Sequence, residues 1–375
     1  MTKAEVCIRG SGAVGLTLAL ALARQGLHVG VVGLLQPSAA PASDDIRAYA
    51  LSAASRALLQ SLRVWDALPA DAVTPVHDMQ VQGDAPGAAL QFSAWQQGAE
   101  ALAWIVDAAE LDRALAAAAA FAPHVQRLDD AQAKTCGAAL TVLAEGKASA
   151  SRDALGVQFT RHAYGHSALA ARVVSSLPHA GLARQWFASP DVLALLPIDR
   201  PQPGHSFGLV WSMPADQAQT LQDAPQVEFE QALLQATGGA AGPLRLQGAR
   251  STWPLALARA EPVSGAGWVL VGDAAHLVHP LAGQGLNLGL ADVATLARVL
   301  AEREAWRALD DEVLLRRYAR QRALPNAAMG WMTDGLWRLF AQPHPAWREL
   351  RNRGLSLLNH LPPLKRALAA RAMDS

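Results

Sequence analysis

Apolar positions open the chain in three short runs. Val6-Cys7-Ile8 and Val29-Gly30-Val31-Val32 are continuous apolar stretches that predict buried strands, and residues 16–25 between them read as a helix. Strand, glycine turn, helix and second strand within about thirty residues make a βαβ unit. Residues 37–43, rich in Pro, Ala and Ser, predict a loop. Residues 44–68 return to helical spacing, with Leu58, Leu59, Leu62 and Trp65 on one side. From 76 to 95 the pattern alternates, setting Met79, Val81, Leu90 and Phe92 among polar residues, as in an antiparallel hairpin. Residues 107–122 predict an alanine-rich helix with acids in its first turn, where the helix dipole favours them.

Between 155 and 211 Gly and Pro punctuate several predicted short strands, among them 193–198 and 207–211. A helix is predicted over 226–236, a loop over 238–243 and a strand over 268–271; from 286 onward the pattern is helical with Pro breaks. The α/β material therefore comes in pieces with β-rich material between them. The predicted class is α/β: a Rossmann-like nucleotide-binding domain built from 1–73, 96–154 and 250–300. A mostly antiparallel β-sheet substrate domain (74–95 and 155–249) is inserted into it, and C-terminal helices occupy 301–375.

Composition narrows the function. Hydrophobic residues make up 51% and charged residues 17%, against about 25% charged in an average globular protein, so a disordered chain is excluded. Lys plus Arg and Asp plus Glu are 32 each, a net charge of zero; a nucleic-acid partner, which calls for a basic surface, is not expected. Two cysteines, Cys7 and Cys136, make neither a disulfide framework nor a zinc site, and no metal is expected. The apolar run 16–23 falls short of the ~18–20 residues that cross a bilayer, so a soluble, cytoplasmic chain is expected.

The chemistry concentrates at two glycine-rich turns. Gly10-Ser11-Gly12-Ala13-Val14-Gly15 is a GxGxxG motif between strand and helix. Its first glycine allows the tight turn, the second admits a pyrophosphate to the backbone, and the third brings helix and strand together; the helix N-terminus supplies N–H groups and partial positive charge. The acidic residue that would hold a ribose should end the second strand. That strand ends at Gly33, and no acid occurs between Glu5 and Asp44. Losing such a bond costs about 1.5–3 kcal/mol, so weaker cofactor retention is expected. The second turn is Gly272-Asp273-Ala274-Ala275-His276 after a strand, continued by His279-Pro280-Leu281-Ala282-Gly283-Gln284-Gly285-Leu286-Asn287 into a helix. Its carboxylate can accept hydrogen bonds from a polyol, and the helix N-terminus can stabilise negative charge on an electron-rich ring.

These motifs resemble the flavin-dependent aromatic hydroxylases. The likeness extends through Asp45-Ile46-Arg47-Ala48-Tyr49-Ala50-Leu51 and Tyr164-Gly165-His166-Ser167-Ala168-Leu169. The tail segments Thr333-Asp334-Gly335-Leu336, Arg351-Asn352-Arg353-Gly354-Leu355 and Leu361-Pro362-Pro363-Leu364-Lys365-Arg366 narrow it to the ubiquinone-biosynthesis (UbiH/UbiF) type. The resemblance implies FAD as cofactor, NADH or NADPH as electron donor and O2 as co-substrate. It implies hydroxylation of a prenylated aromatic quinone precursor through a flavin hydroperoxide. By the same resemblance Gly10, Gly12, Ala13, Val14 and Gly15 hold the FAD pyrophosphate with Arg47 beside it. Asp273 takes the ribityl and pyrophosphate side, and Pro280, Gly283, Gly285, Leu286 and Asn287 lie against the isoalloxazine. His279 is the candidate base for a phenol proton, with His276 behind it.

Two positions depart from the family pattern. Glu145-Gly146, followed by Arg152, stands where Asp-Gly is usual, and Arg9 replaces an aliphatic residue. A buried charge needs a partner, so Arg9 is expected to reach the cofactor or Glu145. The segment 347–371 mixes Arg, Lys, Trp and Leu, a composition suited to peripheral contact with an anionic membrane or to packing on the core. Alternative readings are a hydroxylase of a soluble phenol or aromatic acid, and a flavin-poor accessory subunit of a quinone-biosynthesis assembly.

Overall fold

The computed structural model describes residues 3–34, 45–83, 89–278 and 284–341. Its first sheet has six strands in the order Ser264–Gly265, Trp268–Leu270, Leu140–Leu143, Val6–Arg9, Val29–Val32, Val125–Leu128. All pairs are parallel except the Ser264–Gly265 hairpin. Val6, Ile8, Val29 and Val31 are wholly buried, as a parallel strand covered on both faces requires. The helix Ala13–Ala23 that follows the first turn is buried from Gly15 to Ala23, because its residues are apolar all round.

The second sheet has eight strands in the order His276–Leu277, Leu244–Glu261, Gln158–Ser175, Ser206–Pro214, Asp191–Ile198, Leu182–Ala188, Asp78–Gln82, Ala89–Ser93. It is antiparallel except between Leu182–Ala188 and Asp78–Gln82. A three-stranded antiparallel sheet, Ala48–Leu51, Ala103–Asp107, Val73–Val76, lies in the first half of the chain. The hairpin expected over 76–95 is present, and the helix Gln226–Ala236 coincides with its predicted bounds.

Three expectations are corrected. Residues 44–68 are not one helix: strand Ala48–Leu51 comes first, then helix Ala53–Ser61, whose cap Ser52 accepts from Ser55 N–H at 3.2 Å. The strand alternates between two cores, Ala48 and Ala50 packing in one and Tyr49 and Leu51 in another. The strands after 155 are not all short. Gln158–Ser175 runs eighteen residues, because Gly165, at φ +70°, bends it without ending it, and irregular registers occur at 163/167 and 171/172. Pro325 does not break the C-terminal helix Glu312–Ala341. That helix is held on either side of the proline, by Arg322 bonded to Asp292 and by buried Thr333 and Met329.

Candidate active site

A cavity of about 600 Å³ separates the two larger sheets. On one side it meets the loops that leave the carboxyl ends of the parallel strands: Gly10–Val14, Ala144–Gly146 and Val271–Asp273. Ligands bind at such loop clusters in α/β sheets. On the other side stand small and apolar residues of the eight-stranded sheet, among them Ala168, Ala170, Ala194, Gly208, Val210 and Trp253.

The glycines of the first turn do different work. A Cβ on Gly10, at φ +113°, would lie 2.3 Å from the Ala144 carbonyl oxygen, and one on Gly15 would lie 2.1 Å from that of Gly10. Both positions are closed to side chains by packing. Gly12 meets nothing within 4 Å and opens into the cavity. It caps helix Ala13–Ala23 without a side-chain bond, and no acid sits in the first turn. The uncapped N–H groups and the nearby Arg47 guanidinium suit a diphosphate. The second turn packs on the first, since Cβ atoms on Gly272 and Gly289 would stand 3.2 and 2.7 Å from Val14 Cγ2.

Of the residues singled out in the sequence, Gly10, Gly12, Ala13, Val14, Arg47, Asp273, Gly285 and Leu286 line this one cavity. Gly15 lies just behind it. Asn287, next to Leu286, is buried, and its amide is fully engaged: its Oδ1 accepts from Ser52 N–H (2.9 Å) and Ser55 Oγ (2.8 Å), and its Nδ2 donates to the Ala50 carbonyl (2.8 Å). Its amide therefore ties helix Gln284–Ala301 to the strand Ala48–Leu51. His276 is buried with Nε2 2.7 Å from Asp292 Oδ2. His279, Pro280 and Gly283, like the segment 347–371, lie outside the described residues.

Two charged residues of the cavity wall, Glu145 and Arg47, have ion-pair partners. Arg9 reaches Glu145, as one of its two expected partners: Nε donates to Glu145 Oε1 (3.2 Å) and to Ser151 Oγ (2.6 Å), while its terminal nitrogen meets Asp130 at 2.6 Å. Burial pushes the Glu145 carboxyl up, but hydrogen bonds from Ser149 and Ser151 and the Arg9 guanidinium outweigh it and hold it below the usual range. A carboxylate thus faces the cavity. Burial pushes Asp273 up, against the opposing pull of His276 and Lys147. Arg47 is gripped by both oxygens of Asp45 and lies 5.7 Å from the Tyr49 ring centroid. Burial pushes the Tyr49 hydroxyl up to about 12, so it faces the cavity as a neutral phenol. Where the ribose-binding acid is missing, Ser11 Oγ donates instead to the Gly33 carbonyl at 2.8 Å. Arg152, 3% exposed, stacks 3.6 Å from the Phe159 centroid and donates to the Ala274 carbonyl, so it supports the second turn from below.

Tyr49 and the small-residue wall escaped the sequence reading. Their signal was an alternation of alanine with larger residues, as in Ala48/Ala50 and Ala168/Ala170, which marks a strand face kept clear.

The family described as FAD binding domain matches residues 3–127 and 99–330. The chain is 33% identical to the ubiquinone hydroxylase UbiL of Rhodospirillum rubrum, over 99% of this chain and 90% of that protein. The chain belongs to the FAD-dependent hydroxylases of the ubiquinone-biosynthesis type. The 3-demethoxyubiquinol 3-hydroxylase of Escherichia coli is 31% identical over 96% of each chain. The p-nitrophenol 4-monooxygenase PnpA of Pseudomonas putida shares the fold, with a TM-score of 0.76 at 16% identity over 99% of this chain and 98% of that one. For a member of this family, the uncapped helix and the adjoining apolar space fit a molecule with a diphosphate at one end and a planar ring at the other.

Proposed function

We propose that this chain hydroxylates the aromatic ring of a prenylated quinone precursor, with FAD, NADH or NADPH, and O2. One observation carries the reading: the two glycine turns converge on a single cavity that continues into a wall of small apolar residues. The names of the relatives supply the substrate class. When bound, FAD takes up hydride from the nicotinamide and activates O2 for insertion of one oxygen atom.

The chain's own residues bind and orient. The N–H groups at Ala13 and Val14, with Arg47, hold the diphosphate. Asp273 accepts from polyol hydroxyls, and Glu145, kept ionised by Ser149, Ser151 and Arg9, accepts from a ribose hydroxyl. Gly285 and Leu286 floor the ring. Ala168, Ala170, Ala194 and Gly208 leave room for a substituted ring and keep water from it. Purified protein supplied with FAD, NADH or NADPH and a tail-bearing phenol is expected to release product one oxygen heavier, in an O2-dependent manner. No such product overturns the reading, and equal kcat/KM on a tail-free phenol assigns the chain a soluble substrate instead.

Peripheral contact with an anionic bilayer belongs to the same proposal. On helix Glu312–Ala341, Leu324 (71%) and Trp331 (72%) are exposed on one face, with exposed Arg316 and Arg320 a turn or two before. Apolar and basic residues so arranged suit a lipid surface. No helix among the described residues is long and apolar enough to cross a membrane. Flotation with anionic liposomes should fall in Leu324→Glu/Trp331→Glu, and equal flotation defeats this part.

A further inference from the structure

Asp292 has no solvent exposure, yet it carries three partners. Its Oδ2 accepts from the Gly272 N–H at 2.9 Å and stands 2.7 Å from His276 Nε2, while its Oδ1 accepts from Arg322 Nε at 2.6 Å. Arg322 is fixed in turn by the Leu288 carbonyl and Asn326 Oδ1. One carboxylate oxygen therefore fastens both ends of the loop 272–276. Gly272 sits at φ +60°, and His276 pairs with Arg259 in the eight-stranded sheet. Between the two fastened ends hangs Asp273, whose side chain belongs to the cavity wall.

A buried ion pair is weak evidence for stability, because desolvation offsets much of the attraction. Burial pushes the Asp292 carboxyl up, and His276 and Arg322 outweigh it and hold it ionised. What this arrangement supplies that an apolar core would not is a fixed path for the loop backbone, since an ionised carboxylate accepts several hydrogen bonds in set directions.

We propose that Asp292 and His276 are positioning residues that hold Asp273 in place on the cavity wall and through it set the affinity for FAD. The inference rests on the reading of Asp273 as a contact of the cofactor. Neither residue touches the cavity itself, so their effect passes through the loop.

A double-mutant cycle tests this. FAD is titrated into apoprotein of the wild type, Asp273→Ala, His276→Asn and the double variant, with quenching of flavin fluorescence reporting Kd. Asn keeps polarity but is too short to reach Asp292 Oδ2, whereas Gln places an N–H near the histidine Nε2 position. Each single substitution is expected to raise Kd about tenfold. The double variant should be no weaker than Asp273→Ala within about twofold, and His276→Gln should bind within about threefold of wild type. Wild-type binding by His276→Asn overturns the proposal, as do losses that multiply in the double variant, or a Gln variant as weak as Asn. If Asp273→Ala itself binds as wild type, the reading of Asp273 falls and takes the clamp with it. If Asp273→Ala weakens binding and His276→Asn does not, the clamp alone falls. Should His276→Asn not fold, His276→Leu, which fills the space without an N–H, takes its place in the same cycle.

Discussion

A Cβ on Gly289 would stand 2.7 Å from Cγ2 of Val14. Val14 opens the helix after the first glycine turn, and Gly289 lies inside the helix that follows the second. The segments that follow the two glycine turns, far apart in the chain, are therefore in van der Waals contact through this pair. Inside a helix, glycine is about 1 kcal/mol worse than alanine, so the contact explains why a glycine stands there.

Gly289→Ala should accordingly destabilise the protein despite its better helix propensity. Overpacking of a filled core costs about 1–3 kcal/mol, which exceeds the propensity gain. The urea midpoint is expected to fall, and Val14→Ala/Gly289→Ala is expected to recover most of it. A midpoint that rises in the single variant would show that the two helices have room to spare.

The glycines of the first turn separate folding from binding. Gly10→Ala meets both a φ of +113° and a backbone oxygen at 2.3 Å, neither of which a side-chain rotation relieves. A loss beyond about 3 kcal/mol is expected, read as failure to express as folded protein or a steep drop in melting temperature. Gly12→Ala meets nothing within 4 Å and should melt as wild type. Its methyl group enters the cavity beside the helix N-terminus, so FAD affinity should drop at least tenfold by titration, and unchanged affinity would move the diphosphate elsewhere.

Both glycine turns were legible in the sequence because their chemistry is local: glycine spacing, a strand before and a helix after. Arg9 announced its need for a partner because an unpaired charge on a buried strand is untenable, and of its partners Glu145 was foreseen but Asp130 was not. The strand Ala48–Leu51 was hidden because its two faces serve different cores and its alanines carry little hydrophobic signal. The long strand Gln158–Ser175 was hidden by Gly165, which punctuates a sequence but here only bends a strand. Asn287 was singled out by motif, but the bonds of its amide to Ser52, Ser55 and Ala50 were not, because those contacts cross most of the chain. Asp292 gave no signal at all, since a single acid in an amphipathic helix ordinarily faces water.

Arg9→Val should be most costly at neutral pH. The Glu145 carboxyl lies below its ordinary value of 4.5 in the folded chain, so its bonds contribute stability that is fully present above about pH 4.5. That contribution is lost as pH falls through the lower folded value. Removing the Arg9 bonds should cost about 1 kcal/mol at pH 7, with the gap between wild type and variant narrowing on acidification below pH 4.5. Urea midpoints across that range check the sign. Because Glu145 faces the cavity, the variant should also retain less flavin through gel filtration, and undiminished flavin content would confine Arg9 to a structural role.

Ala170 offers a test of the far end of the cavity. It sits on the wall contributed by the eight-stranded sheet, opposite Val210 in the pairing, while the first glycine turn belongs to the other sheet. Ala170→Phe fills space that the substrate ring or its substituent needs, and because that space is cavity rather than packed core, little overpacking accompanies it. FAD affinity should stay within about twofold of wild type, whereas kcat/KM for a tail-bearing phenol should fall at least tenfold. Reduction by NADH or NADPH should continue without matching product, since bound flavin keeps its electron donor when the acceptor ring is shut out. Undiminished hydroxylation by Ala170→Phe would mean that the ring enters along a different wall, and the small residues facing the cavity would then need another explanation.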